Sequence, residues 1–176
     1  MSAVPRVRVL GMGNTLAGDD GIGPRVIEHL QSAYVFLPEI ELVDVGTPGL
    51  SLTDHLLDID VAILVDAVYH RTGRARVQVY RGDEAVACLP LERSSAHEPA
   101  LRRTLAALRL AGTGPQELVL VGVAPERCDI GTDLSPPVRA AIATTARVVC
   151  RELTRCGVRA RRRIGREQFA PASETI

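Results

Sequence analysis

The sequence VAILVD at residues 61–66 decides the fold: five apolar residues run without interruption and a carboxylate follows them. A run this apolar is typical of a strand buried on both faces of a parallel sheet. Strand and amphipathic-helix patterns alternate on either side of it. We predict strands at residues 7–10, 40–45 and 118–123. We predict four helices: Ile22 to Tyr34, Leu52 to Leu57, residues 98–111, and a last helix that starts at Ser135 and stops at Gly157. This alternation predicts one doubly wound, mostly parallel α/β sheet with helices on both faces.

The stretch RVQVY at residues 76–80 alternates between polar and apolar side chains. Alternation is typical of a strand with one solvated face. We therefore predict an edge strand here and consider an antiparallel orientation for it.

The chain has 176 residues, of which 46% are apolar, and this is enough for one domain with a substantial core. After Arg159 the periodic pattern fails, because arginines crowd together and an Ala-Pro-Ala-Ser-Glu stretch follows. We predict a folded α/β domain over residues 1–158 and a disordered, Arg-rich tail over residues 159–176.

Charge and composition exclude several classes of protein. The formal net charge is zero, from 21 basic and 21 acidic residues, so we expect neither nucleic acid nor an anionic membrane as a partner. No apolar run approaches the roughly 18 residues that span a bilayer. The four cysteines show no C-x-x-C spacing, which argues against a zinc ribbon or a redox pair. We expect a cytoplasmic protein with reduced thiols, and the sequence assigns no oligomeric state.

A glycine-rich loop, GMGNTLAGDDGIGP at residues 11–24, joins the first predicted strand to the first helix. Glycine lets the backbone pass where a β-carbon would clash. The neighbouring carboxylates of Asp19 and Asp20 repel each other unless solvent, hydrogen bonds or a cation offset their charge. The loop therefore predicts a ligand site, with a cation as the simplest ligand.

Ligands of open α/β sheets bind beyond the carboxyl ends of the strands. Asp20 in the glycine loop, Asp66 after the central strand and His97 before the third helix all belong to that edge of the predicted sheet. Two carboxylates and an imidazole suit nickel, zinc or iron better than calcium or magnesium. Each residue also has a purely structural interpretation. Asp20 could stabilise a helix N-terminus, Asp66 could pair with a protein donor, and His97 could be an ordinary surface histidine.

Three familiar chemistries do not fit the spacing. Gly11 and Gly13 follow a strand as in a dinucleotide fingerprint, but Leu16 stands where the third glycine is needed and two aspartates would repel a pyrophosphate. His97-Glu98 begins an H-E-x-x-H pattern that Leu101 interrupts. A G-x-S-x-G elbow is absent, and no cysteine has a recognisable nucleophile signature around it.

Several motifs, in order along the chain, resemble those of the NiFe-hydrogenase maturation endopeptidases. These enzymes remove a C-terminal extension from the hydrogenase large-subunit precursor after nickel insertion. The matching motifs are Gly11-x-Gly13-Asn14-x-Leu16-x-x-Asp19-Asp20-Gly21-x-Gly23, Asp44-x-Gly46-Thr47-x-Gly49, Val65-Asp66-Ala67, Ser95-x-His97, and Gly122-Val123-x-Pro125-Glu126 leading to Leu134-Ser135-Pro136.

The resemblance implies that Asp20, Asp66 and His97 are the metal ligands and the catalytic residues, although many relatives have Glu where this chain has Asp20. It implies that these residues sense nickel already seated in the precursor and that the enzyme holds no permanent cofactor. Water then attacks the peptide bond, activated by the metal, by one of the two carboxylates or by another group. We expect Gly46, Thr47 and Gly49, together with the loop from Pro125 to Leu134, to shape the substrate cleft, with simple turn formation as the alternative.

Two other functions remain open from the sequence. One is a peptidase or amidase that carries its own zinc or nickel on the same three residues, with metal-bound water as the nucleophile. The other is a non-catalytic, metal-sensing chaperone that binds the precursor without cutting it. A nucleotide-binding domain is a more distant third.

Overall fold

The computed structural model describes residues 5–47, 52–69, 76–89 and 99–163. Its main sheet has five strands in the order β3-β1-β4-β6-β5. Strands β1, β3, β4 and β6 run parallel, and β5 pairs antiparallel with β6 at one edge. The strand bounds are β1 Val7–Met12, β2 Tyr34–Leu37, β3 Glu41–Gly46, β4 Val61–Ala67, β5 Val77–Arg81, β6 Glu117–Val123 and β7 Arg159–Arg162. The predicted fold class and the antiparallel edge strand are confirmed.

Strand β4 lies at the centre of the sheet, and all seven of its residues are buried. Val61, Ile63 and Val65 pack into one hydrophobic cluster. Ala62 and Leu64 pack into a second cluster on the opposite face. The uninterrupted apolar run follows from this, because a strand covered on both faces has no solvated side to carry polar residues.

Helices cover both faces of the sheet. α1 and α5 supply side chains to the first cluster, and α2, α3 and α4 supply them to the second. The helix bounds are η1 Gly18–Gly21 (a 3₁₀ turn), α1 Ile22–Ala33, α2 Leu52–Leu56, α3 Asp83–Cys88, α4 Pro99–Ala111 and α5 Pro136–Arg155. The sequence did not predict α3. Gly157, with φ of 83°, follows the end of α5 as predicted.

Two expectations are corrected by a small antiparallel ribbon formed by β2 and β7. Tyr34 does not extend the apolar face of α1. It begins β2, opposite Arg162. The prediction that disorder starts at Arg159 is wrong for residues 159–162, because they form β7; the rest of the predicted tail, from residue 164 onward, lies outside the described residues.

The strand order places a switch point between β1 and β4. After β1 the chain moves to β3 on one side, and after β3 it crosses to β4 on the other side of β1. Loops that leave neighbouring strands in opposite directions open a crevice at their carboxyl ends, and open α/β sheets bind ligands there. Among the described helices, none is long and apolar enough to cross a membrane.

Candidate active site

The glycine loop owes much of its composition to close packing. A β-carbon on Gly23 would overlap the backbone of Met12 and lie 2.5 Å from the Val65 carbonyl oxygen. Gly13 has φ of 129°, and a β-carbon there would overlap the carbonyl oxygen of Asp20. These glycines let the start of α1 lie directly against β1 and β4, which fixes the position of Asp20.

Asp20 is buried in the η1 turn, which forms part of this loop. The backbone N–H of Asn14 donates to Asp20 Oδ2 at 2.6 Å. The Asn14 side chain in turn accepts the N–H of Leu16 at 2.9 Å. The residue at the N-terminal cap of α1 is Gly21, and no side chain caps that helix, so Asp20 closes its own loop and does not cap α1.

Asp19 is fully buried, and its carboxylate is held by protein donors on both oxygens. Oδ2 accepts the N–H groups of Glu126 at 2.8 Å and Arg127 at 3.1 Å, together with the Ser135 hydroxyl at 2.8 Å. Oδ1 accepts the Ser135 N–H at 2.6 Å. Burial alone raises the pKa of the Asp19 carboxyl, but these hydrogen bonds outweigh it and hold the pKa below its ordinary value of 3.8.

The hydrogen bonds to Asp19 explain how the fold accommodates two adjacent carboxylates. Four hydrogen bonds from protein donors offset the charge of Asp19. Ser135, predicted as the start of the last helix, is the N-cap residue of α5, but its hydroxyl donates to Asp19 and makes no capping bond. Sequence reasoning missed this role, and the only signal for it is the Leu134-Ser135-Pro136 motif.

Asp66 lies near the end of β4 and is 3% exposed. Its Oδ1 accepts the N–H of Ala67 at 2.7 Å. In the sheet Asp66 is in register with Gly122 of β6, whose missing side chain leaves room beside it. Because Gly11 of β1 is in register with Val65, Asp66 and the loop that carries Asp20 leave the same edge of neighbouring strands.

The predicted cleft residues are described in part. Gly46 ends β3 with φ of 56°, and its carbonyl accepts the N–H of Gly13 at 2.9 Å. Thr47 follows it and is exposed. This turn therefore lies beside the glycine loop at the same edge of the sheet. Gly49 and His97 lie outside the described residues.

The structure thus brings two of the three predicted metal-ligating side chains to the switch point of the sheet. Within the part of the chain that the structure describes, no group of three or more His, Cys, Asp or Glu side chains is arranged to hold a metal ion. Ionised carboxylates are acceptors with about four lone-pair sites each, so Asp20 and Asp66 have the chemistry to contribute oxygen ligands.

The fold and these two buried carboxylates define an α/β protein with an acidic site at the carboxyl edge of its sheet. Comparison with known proteins then identifies the family. The sequence model of HycI, hydrogenase maturation protease, matches residues 24–152. The chain belongs to the hydrogenase maturation protease family, and its enzymatic class is that of a protease.

Curated relatives and solved structures agree with this assignment. The chain is 36% identical over 170 residues to the hydrogenase expression/formation protein HoxM of Azotobacter vinelandii, covering 96% of this chain and 82% of the relative. It is 35% identical over 155 residues to the hydrogenase 2 maturation protease of Escherichia coli K12, and the match covers 88% of this chain and 94% of the relative. The solved structure of the hydrogenase maturating endopeptidase HybD from E. coli superimposes with a TM-score of 0.81 at 34% identity, covering 90% of this chain and 98% of that one.

Proposed function

We propose that this protease removes a C-terminal extension from the large-subunit precursor of a NiFe hydrogenase after nickel has been inserted, and that Asp20, Asp66 and His97 recognise the nickel held by the precursor. The observation that carries the proposal is the placement of two buried carboxylates at the switch point of the sheet, Asp20 in the turn that follows β1 and Asp66 near the end of β4. A borderline metal ion accepts carboxylate and imidazole ligands together.

The position of α4 supports His97 as the third ligand. α4 begins at Pro99, two residues after His97 in the sequence, and its apolar side chains share a core cluster with Ala62 and Leu64. Strand alternation assigns Asp66 to that same face of β4. The chain therefore enters α4 on the side of the sheet to which Asp66 belongs.

In this mechanism the nickel is part of the substrate. Docking brings the precursor's metal against the carboxylates and positions the peptide bond for attack by water. The metal, or one carboxylate acting as general base, activates that water. We also propose that processing takes place in the cytoplasm, where the four cysteine thiols stay reduced.

The substitution Asp66→Asn tests the ligand assignment. Asn keeps the size of the side chain and the oxygen that accepts the Ala67 N–H, but it removes the negative charge. We expect cleavage of the nickel-loaded precursor to fall by at least about a hundredfold, as for loss of a transition-state or metal contact. The measurement is the rate of precursor cleavage, with circular dichroism and the Tm as checks on folding.

Asp60→Asn is the matched control, because Asp60 precedes the same strand at its opposite end and accepts the Arg6 N–H at 2.7 Å. This variant should cleave at close to the wild-type rate. An Asp66→Asn enzyme that remains folded and fully active would contradict the ligand assignment.

A further inference from the structure

Two large apolar side chains are strongly exposed beside the candidate active site. Leu16, in the glycine loop, is 63% exposed, and Ile130, in the loop between β6 and α5, is 99% exposed. A single exposed apolar residue is ordinary on a protein surface, but adjacent ones form a patch that favours a partner.

Backbone hydrogen bonds hold these two residues together. The N–H of Gly131 donates to the Leu16 carbonyl at 3.0 Å, and the N–H of Gly18 donates to the Gly131 carbonyl at 2.7 Å. This pattern makes a parallel bridge between Ala17 and Gly131. The backbone of Leu16 therefore lies next to that of Gly131, one residue away from Ile130.

Tyr69 extends the patch from the side of β4. It is 73% exposed, and its hydroxyl donates to Cys128 Sγ at 3.7 Å, which places it beside the loop that carries Ile130. Leu16 stands four residues before Asp20, and Tyr69 stands three residues after Asp66. Each carboxylate of the site thus has an exposed apolar residue a few positions away on its own segment.

The loop that presents Ile130 is anchored. Asp19 binds the N–H groups of Glu126 and Arg127 at its start and Ser135 at its end. A surface that is already ordered before binding loses less conformational entropy on association than a mobile one. The apolar patch is therefore preorganised next to the catalytic edge.

We propose that Leu16, Tyr69 and Ile130 form a docking surface for the hydrogenase precursor, and that it binds apolar side chains next to the bond to be cut. This inference rests on the proposed function, because the precursor is the occupant. The surroundings fit a protein partner: exposed Asp129, Asp133 and Arg127 border the apolar residues, as a polar rim borders the core of an interface. A peptide bound at Asp20 and Asp66 would lie next to the two segments that carry Leu16 and Tyr69.

The test uses Leu16→Ser, Ile130→Ser and the double variant with the nickel-loaded precursor. All three should fold with a wild-type Tm, because both side chains face solvent. We expect KM to rise roughly tenfold for each single variant while kcat changes less than about twofold, since docking contacts act before the chemical step. Ile130→Val keeps an apolar side chain, so the KM of this variant should stay near the wild-type value.

Leu110→Ser is the matched control. Leu110 is 92% exposed near the end of α4, where the following loop contacts Asp58 at the amino end of β4. This variant removes an equally exposed leucine far from the site and should leave KM unchanged. An unchanged KM in the double variant, or an equal rise in Leu110→Ser, would overturn the proposal.

Measuring the affinity of the enzyme for the precursor, separately from cleavage, distinguishes a failure of the docking surface from a failure of the proposed function. Wild-type enzyme that binds the precursor without cutting it, while the double variant does not bind, would overturn the proposed cleavage and support the docking surface. Wild-type enzyme that cuts, with a double variant of the same KM and affinity, would overturn the docking surface alone. Wild-type enzyme that is a dimer by sedimentation, with a monomeric and fully active double variant, would assign the patch to a second copy of this chain and contradict the proposal.

Discussion

Asp19 accepts four hydrogen bonds from the loop between β6 and α5, whereas its neighbour Asp20 closes the glycine loop at the candidate active site. The two adjacent carboxylates therefore have different roles. Asp19 connects two loops at the carboxyl edge of the sheet, and Asp20 lies at the candidate active site. The sequence alone shows only that both are acidic, because the donors to Asp19 lie more than one hundred residues away.

Replacing Asp19 by Asn should destabilise the fold. An amide presents one acceptor oxygen and one NH₂ group, so at least one buried N–H donor at Glu126, Arg127 or Ser135 loses its acceptor. We expect the free energy of unfolding to fall by about 2–4 kcal/mol. Urea denaturation of both proteins at pH 7 measures this difference, and an Asn variant as stable as the wild type would contradict it.

The same pair of proteins should show a defined pH dependence. The pKa of Asp19 is lowered in the folded state, so its charged form stabilises the fold at pH values above the unfolded pKa of about 3.8. That contribution is lost as the pH falls from there through the folded-state pKa. The stability difference between wild type and Asp19→Asn should therefore be constant above about pH 5 and shrink below pH 4. A difference that grows on acidification would contradict this account.

The cysteines should differ in reactivity. Burial raises the pKa of the Cys150 thiol to about 11, so only about one molecule in a thousand carries the thiolate at pH 8. Cys128 is exposed. Iodoacetamide should label Cys128 readily and Cys150 at least about a hundredfold more slowly, as followed by peptide mass spectrometry. Equal labelling of the two thiols in the folded protein would contradict the packing of α5.

At the scale of the elements, the contact between α1 and β1 depends on the absence of a side chain at Gly23. A β-carbon there would meet backbone atoms of Met12 and Val65, which cannot move away as a flexible side chain can. Gly23→Ala should lower the free energy of unfolding by about 3 kcal/mol or more, and it should reduce activity by shifting Asp20. Thermal and urea unfolding measure the first effect.

Ser32→Ala on the same helix is the control for Gly23→Ala. Ser32 is exposed and its hydroxyl bonds only the His29 carbonyl of its own helix. Its replacement should change the free energy of unfolding by less than about 0.5 kcal/mol. If Gly23→Ala were as mild as Ser32→Ala, the close approach of α1 to β1 would be contradicted.

Long periodic elements could be predicted from the sequence, and short ones could not. The apolar run of β4 predicts only a buried strand, and the apolar face of α5 predicts only a helix. Tyr34 continues the spacing of α1 from Leu30, yet YVFL at residues 34–37 also alternates, and Tyr34 and Phe36 are the two buried residues of that strand. Pairing with β7 decides between the two patterns, and that pairing spans more than one hundred residues.

The charge pattern of residues 159–162 does not predict β7, because the strand depends on pairing with the distant β2. Four residues, RARR, look like a solvated tail, but an outer ribbon strand can expose its arginines while Ala160 packs against the core. α3, with six residues, is too short to show a helical period. In both cases tertiary contacts, not local propensity, determine the structure.

At the scale of the whole molecule, the sheet predicted from the sequence also predicted where to look for the site. The sequence predicts Asp20 in the loop after β1 and Asp66 at the end of β4, and the structure has both residues at these positions. Their role as ligands stays a prediction, and so does that of His97, which lies outside the described residues. The sequence predicts a cleft role for the loop that carries Ile130, but it does not show the bridge between this loop and the glycine loop, because the bridge spans more than one hundred residues.

The most direct test of the central claim is mass spectrometry of a cognate large-subunit precursor after incubation with this enzyme, with the precursor once loaded with nickel and once nickel-free. The account predicts loss of a C-terminal peptide from the nickel-loaded precursor only, and no loss from either when Asp66→Asn replaces the wild-type enzyme. Equal cleavage of the nickel-free precursor would contradict recognition of substrate-borne nickel. Intact mass in both samples, with a precursor that another maturation protease can process, would contradict the proposed substrate.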